Sequence, residues 1–178
     1  AAQKKHEALL DCMVLATVGK NNHPSARVVL YKGIFHQAIR FYTNYLSAKG
    51  KELLQNPFSC LLFYWETVGI QIRIEGKVKK ISAKESDQYW AMRPKESQIS
   101  GTVSPQSCEI KSFQYLEDKA SKLRKLYSNK SITRPLFWGG YDLLPTKCEF
   151  WYRGENRLHQ RILYTKVRGS WKRKYLAP

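Results

Sequence analysis

The sequence predicts a mainly β chain with inserted helices (α+β), built as an antiparallel barrel with helical excursions. Three observations carry that expectation. Roughly seven or eight short segments, rich in β-branched and aromatic residues, follow one another at close spacing. Turn chemistry separates them, as in K-N-N-H-P at 20–24, where Asn tolerates left-handed backbone and Pro punctuates. The helical patterns are few, and two of them form an excursion at about 82–130. No G-x-G-x-x-G follows a strand candidate and no G-x-x-x-x-G-K-[ST] occurs, which excludes doubly wound and P-loop readings. A G-x-S-x-G nucleophile motif is also absent.

In chain order, residues 3–11 read as a short helix and Met13 to Val18 as a buried strand. Ser25 to Lys32 is the second strand of a hairpin. Arg27 and Lys32 have opposite parity on it, so they are expected to face opposite sides and serve two different anions. Ile39 to Asn44 is a third strand. Ser47 N-caps a helix running to Gln55, which Pro57 ends. Lys49 and Lys51 in its first turn oppose the macrodipole and so invite an anion. Phe58 to Glu66 is an almost continuous apolar strand. Ile70 to Ile81 alternates, with Gly76 expected at a bulge.

Ser82 and Glu85 form a capping box for a helix to about Arg93. Tyr89 and Arg93 share its face, Pro94 ends it, and Ser97 follows within reach. A phenol, a guanidinium and a hydroxyl converging there would suit phosphate. The competing reading is an amphipathic helix with Tyr89 and Arg93 on its solvent side. S-P-Q-S at 104–107 is a polar loop, and Phe113 to Tyr127 is a helix with a basic far end. Phe137 to Leu144, Lys147 to Tyr152, Arg161 to Val167 and Trp171 to Tyr175 are further strands.

A length of 178 residues is most simply one domain, and 43% hydrophobic content is enough for a core. No apolar run approaches the ~20 residues of a membrane span. The opening A-A-Q-K-K-H-E is polar and helix-like, unlike a signal peptide. Cys12, Cys60, Cys108 and Cys148 show no C-x-x-C spacing, which argues against a metal site and for free thiols in a reducing cytoplasm. The net charge of +17 permits nucleic acid, anionic membrane or phosphorylated small ligands. No zinc-finger, basic-region or RNA-binding aromatic signature accompanies it.

The chemistry concentrates in E-F-W-Y-R-G-E-N-R-L-H-Q-R, residues 149–161. If that stretch is extended, Arg157, His159 and Arg161 share one face just past Trp151. Trp can border a ring, Arg can pair with phosphate or a polar ring edge, and His can move a proton. The bland alternative is an edge strand with a solvated basic face.

R-V-V-L-Y-K at 27–32, F-Y-T-N at 41–44, R-P-K-E-S-Q-I at 93–99, S-P-Q-S at 104–107, F-W-G-G at 137–140, the 149–161 stretch and the terminal Y-L-A-P occur in order. Together they resemble the pyridoxamine 5′-phosphate oxidase family over nearly the whole chain. The resemblance implies an antiparallel split β-barrel that binds FMN at the interface of a homodimer. It implies a single domain over 1–178, with a helical excursion at about 82–130 and a C-terminal dimerisation and substrate segment at about 137–178. It also implies oxidation of pyridoxine or pyridoxamine 5′-phosphate to pyridoxal 5′-phosphate, with O2 as acceptor and H2O2 as by-product.

For FMN, the resemblance implies that Arg27 and Lys49 hold the phosphate, with the strand carrying Arg27, Val28, Val29, Leu30 and Lys32 lining the site. Tyr42, Thr43, Gln71, Gln106, Ser107, Trp151 and Arg161 are implied around the rest of the flavin. Lys32, Tyr89, Arg93 and Ser97 are implied on the substrate phosphate, and Arg157 and His159 against the substrate ring as catalytic residues. No metal, nucleic acid or membrane partner is implied. One position departs: family members commonly carry Arg where Ala48 stands, just before Lys49, and Arg40 or Lys51 is a candidate to compensate. The front of the chain is short relative to the family. Two other readings are a related flavin oxidase of phenazine biosynthesis and a non-catalytic nucleic-acid-binding protein.

Overall fold

The computed structural model describes residues 10–178. The helix expected over residues 3–11 lies almost wholly outside them; Leu10 and Asp11 form a turn. Among the described residues there are nine strands and four helices. They divide into two compact units. One comprises the described residues up to Phe41 with Glu52–Lys79 and Asp142–Pro178, the other Tyr42–Lys51 and Lys80–Tyr141.

In the first unit, β1 (Cys12–Val18) forms a hairpin with β2 (Pro24–Leu30). β1 also pairs antiparallel with β5 (Phe58–Trp65), and β5 pairs with β6 (Ile70–Lys80). β3 (Ile34–Phe35) pairs with β4 (Ala38–Asn44). The sheet runs β2-β1-β5-β6, then β7 (Trp138–Tyr152), β4 and β3. β8 (Gln160–Val167) branches from β7 and pairs with β9 (Ser170–Leu176). The period-2 pattern sends Met13, Leu15 and Thr17 of β1 inward at no more than 1% exposure. Leu61, Phe63, Ile74, Phe41 and Leu143 join them. Each such side chain contributes about 1.5–3 kcal/mol when fully buried.

The second unit is mostly helical. α1 (Ala48–Gln55) starts in it, and Ser47 Oγ caps that helix by accepting from Gly50 N–H at 3.3 Å. α2 (Ala83–Met92) carries the Ser82–Glu85 capping box as expected. α3 (Lys95–Val103) and α4 (Phe113–Leu126) complete the set. Their core is Trp90, Ile99, Ala120, Ile132 and Trp138. The buried Trp90 indole donates to Ile132 O at 2.7 Å, which pins the chain after α4.

Several expectations change. β2 stops at Leu30, so Lys32 lies past the strand and the parity argument does not reach it. Its N–H instead donates to Arg40 O. Gly76 is not a bulge in the β5–β6 pair, where the register runs unbroken through Ser59↔Gly76. Its missing side chain serves a close approach: a Cβ there would sit 2.1 Å from Leu144 O. The strands expected at 137–144 and 147–152 are one strand. Thr146 donates to Glu75 O just past Pro145, and β8 takes up pairing from Lys147 onward. Pro94 ends α2 as expected, but it also N-caps α3, a helix the sequence pattern did not reveal.

Arg40 of β4 and Asp142 of β7 form a bidentate ion pair, Nε–Oδ1 2.7 Å and Nη2–Oδ2 2.8 Å. Both residues are buried, at 4% and 5% exposure. Removing one partner strands a charge in the interior, so Asp142→Ala is expected to cost about 3–5 kcal/mol. Replacing both, Arg40→Met with Asp142→Leu, should recover much of it. Urea unfolding of the single and double variants checks this; a single variant as stable as the parent would contradict it.

Candidate functional site

The 149–161 stretch is a hairpin, not one extended strand. β7 ends at Tyr152, and residues 155–157 form a short 3-10 turn with Asn156 at φ 50° and Arg157 at φ 64°. Gly154 permits the tight reversal, because a Cβ there would lie 2.1 Å from Leu158 O. Arg157, His159 and Arg161 therefore do not line one strand face. Arg157 is exposed in the turn. His159 folds back, its Nδ1 accepting from Gly154 N–H at 3.2 Å and its ring 4.5 Å from the Trp151 ring. Arg161 stands opposite Trp151 in the β7–β8 register, so these two do share a face.

Glu149, two residues before Trp151 on that face, was not singled out by motif reading. Its carboxylate is buried and bridges two guanidiniums. Arg161 Nε donates to Oε1 at 2.7 Å and Arg73 Nη2 donates to Oε2 at 2.5 Å. The Arg161 hydrogen bond, working against burial and helped by Arg73, holds its carboxyl below the usual range. The signal was available in outline: Glu149 opens the quoted motif, and Arg73 shares the alternating face of β6 with Gln71.

Arg27 is clamped within the first unit. It donates to Leu15 O, Thr17 Oγ1, Ser25 Oγ and Glu52 Oε2, the last at 3.0 Å. Burial pushes the Glu52 carboxyl up. Hydrogen bonds from Thr17 and Ser25 and the Arg27 charge outweigh that and hold it low. On the same strand Val29 is buried, whereas Val28 and Leu30 are exposed apolar residues. Lys32 Nζ lies 3.7 Å from the Asp11 carboxylate. Gln71 is half-buried on β6, opposite Tyr64.

In the second unit, three expected flavin residues meet. Lys49 is 8% exposed, and its Nζ donates to Gln106 Oε1 at 3.1 Å. Thr43 Oγ1 donates to the same oxygen at 3.2 Å. Ser107 follows in a left-handed conformation, φ 68°. Tyr42 stacks on Tyr89 at 3.8 Å and on Trp138 at 5.4 Å. The Arg93 guanidinium lies 4.4 Å from the Trp138 ring centre. Burial, opposed by Tyr89, draws its pKa below the usual arginine value. Tyr89 and Arg93 are thus packed against a tryptophan, which removes the reading that puts them on a solvent face. Ser97 sits half-buried in the first turn of α3. Arg40, one candidate to compensate for Ala48, is held by Asp142 through Nε and Nη2.

The antiparallel sheet-rich fold with four helices is that of the FMN-binding split-barrel proteins. A family model described as pyridoxamine 5′-phosphate oxidase matches residues 2–127. A second, described as the pyridoxine 5′-phosphate oxidase C-terminal dimerisation region, matches residues 138–178. A pyridoxine/pyridoxamine 5′-phosphate oxidase of Legionella pneumophila is 46% identical over 93% of this chain and 77% of its own. The pyridoxine-5′-phosphate oxidase of Bos taurus is 46% identical over 88% of this chain and 60% of its own. Among solved structures, PhzG of Burkholderia lata, in complex with tetrahydrophenazine-1-carboxylic acid, superposes with a TM-score of 0.95 at 30% identity. That match covers 99% of this chain and 87% of PhzG. A pyridoxamine 5′-phosphate oxidase-related, FMN-binding protein of Nostoc punctiforme, at TM-score 0.81 and 20% identity over 99% and 94% of the two chains, shares the fold. This chain belongs to the pyridoxamine 5′-phosphate oxidase family.

The Glu52 carboxyl titrates lower in the folded chain than in the unfolded one. Its stabilisation is therefore present above the ordinary value of about 4.3 and is lost as pH falls through the lower folded value. Glu52→Gln should flatten the fall in melting temperature on acidification from about pH 5. Parallel curves for parent and variant would show that the clamp contributes nothing to acid sensitivity.

Proposed function

We propose that this protein is an FMN-dependent oxidase of pyridoxine 5′-phosphate and pyridoxamine 5′-phosphate, a pyridoxal 5′-phosphate synthase. The observation that carries the reading is the pairing of family membership with the packing of Tyr89 and Arg93 on Trp138. Those are two of the residues that the resemblance puts on the substrate phosphate, and they are held by an aromatic stack rather than spread over a surface.

The residues present fit FMN. The buried Lys49 ammonium, with Thr43 and Gln106, forms a donor cluster suited to a phosphate or a polar ring edge. In the first unit Arg27 offers a guanidinium, and Trp151 with Arg161 offers an aromatic wall and a cation for the flavin ring. When bound, FMN would supply the two-electron chemistry, taking hydride from substrate C4′ and passing the electrons to O2 to give H2O2.

The chain's own residues supply alignment. Lys32, Tyr89, Arg93 and Ser97 hold the substrate phosphate, which fixes one end of a small rigid molecule. Arg157, on the hairpin turn, places its guanidinium against the pyridine ring. His159 accepts from Gly154 N–H at Nδ1, so in the neutral ring Nε2 carries the proton and orients a ring substituent as a donor. The active form is a homodimer with FMN at the interface, in keeping with the dimerisation-region match. We place it in the cytoplasm; no helix among the described residues is long and apolar enough to cross a membrane.

Purified protein reconstituted with FMN should be yellow and should oxidise pyridoxine 5′-phosphate. Arg93→Ala should chiefly raise KM, by about ten- to a hundredfold, because a phosphate contact worth roughly 1.5–3 kcal/mol binds ground and transition states alike. Arg157→Ala should also slow anaerobic flavin bleaching at saturating substrate. His159→Asn, which keeps a side-chain N–H donor, should slow bleaching less than His159→Ala. A protein that binds no FMN would sink the reading. One that binds FMN but turns over only an unphosphorylated phenazine precursor would favour the PhzG-like alternative, which the 30% identity to that protein motivates.

A further inference from the structure

We propose that Glu149 is a positioning residue for the cofactor ring: it fixes the Arg161 guanidinium beside Trp151, and Arg73 is the counter-cation that lets it do so. The inference rests on the FMN reading above. It concerns two residues, Glu149 and Arg73, that no resemblance assigns.

Geometry carries it. Glu149, Trp151 and Arg161 occupy one face of the β7–β8 hairpin, with Trp151 and Arg161 directly opposite. The Glu149 side chain is 4% exposed, and both its oxygens accept from guanidiniums. Arg161 is gripped from a second side, its Nη1 donating to Ala177 O at 2.9 Å, and Leu176 is its partner in the β8–β9 register. The terminal Y-L-A-P thus serves to hold Arg161. Two of the five N–H donors of a guanidinium are taken by these contacts, and the rest stay available to a ligand. A long, flexible side chain is thereby reduced to one orientation before any ligand arrives.

A purely structural role is the competing account, and it fits less well. A buried carboxylate is costly to desolvate, and apolar packing of similar volume is often as stable. Two arginines on one face also repel each other unless an acid lies between them. Glu149 satisfies both while leaving Arg161 a free edge. Arg73, whose side chain is 41% exposed and also pairs with Glu75, supplies the second charge without being buried itself.

The test compares parent, Glu149→Gln, Arg73→Met and Arg73→Lys. Three quantities are measured for each: FMN affinity of the apoprotein by flavin fluorescence quenching, the visible circular dichroism of bound flavin, and the melting temperature of the apoprotein. Glu149→Gln should weaken FMN by about tenfold or more and change the visible dichroism. Arg73→Met should follow in the same direction, and Arg73→Lys should restore most of the affinity. If Glu149→Gln lowers only the melting temperature and keeps parent affinity and dichroism, the role is structural and the proposal is overturned. If Glu149→Gln does not fold, Arg73→Met decides by the same readouts. A parent that binds no FMN overturns the functional reading and this proposal together; a parent that binds it as tightly as every variant overturns this proposal alone.

Discussion

A buried guanidinium–carboxylate pair, Arg40 with Asp142, joins the two strands on which the molecule depends. β4 carries Arg40 and, two and three residues later, Tyr42 and Thr43. β7 carries Asp142 and, further on, Glu149 and Trp151. An ion pair this deep contributes little net stability over apolar packing, but it accepts only one alignment of its strands. A slip of one residue would bury two unpaired charges and turn every side chain of the strand to the other face. Registry is therefore where its influence lies: it sets which faces Thr43 and Trp151 present.

The same device recurs at lower burial. Glu52 gathers Arg27, Thr17 and Ser25, and Glu149 gathers Arg73 and Arg161. In a chain with a net charge of +17, acids are scarce. Those two sit beside arginines that family resemblance links to the cofactor or that share its face. A guanidinium so held has lost most of its rotamer freedom before it meets a ligand, which lowers the entropic cost of binding. The high positive charge is thus compatible with small anionic ligands and needs no nucleic-acid partner to account for it.

The second unit sets aromatic stacking beside its ion pairs, such as Arg134 with Asp87. Tyr42, Tyr89 and Trp138 lie nearly parallel, and Arg93 rests on the Trp138 face. A cation held on a ring keeps its hydrogen-bonding edge free, unlike one spent on a carboxylate. That difference suits a residue whose task, under the proposed function, is to grip a phosphate.

Much of the fold was determined by the sequence alone, because its signals are local. Apolar runs placed β1 and β5, and period-2 alternation placed β6. Ser82 with Glu85 marked the start of α2, and Ser47 that of α1, since a cap and its N–H partner lie within three residues. The family motifs were legible for a similar reason: they are short runs of fixed spacing. What only the tertiary structure decided depends on partners far away in the chain. Glu149 meets Arg73, 76 residues distant, and Arg40 meets Asp142, 102 residues distant. Gly76 became a close approach to Leu144 rather than a bulge, and Pro145 did not break β7. The turn at 155–157 undid the alternation of Arg157, His159 and Arg161. A two-residue period holds only where the chain stays extended, and here the closing hairpin, not the local pattern, set the backbone.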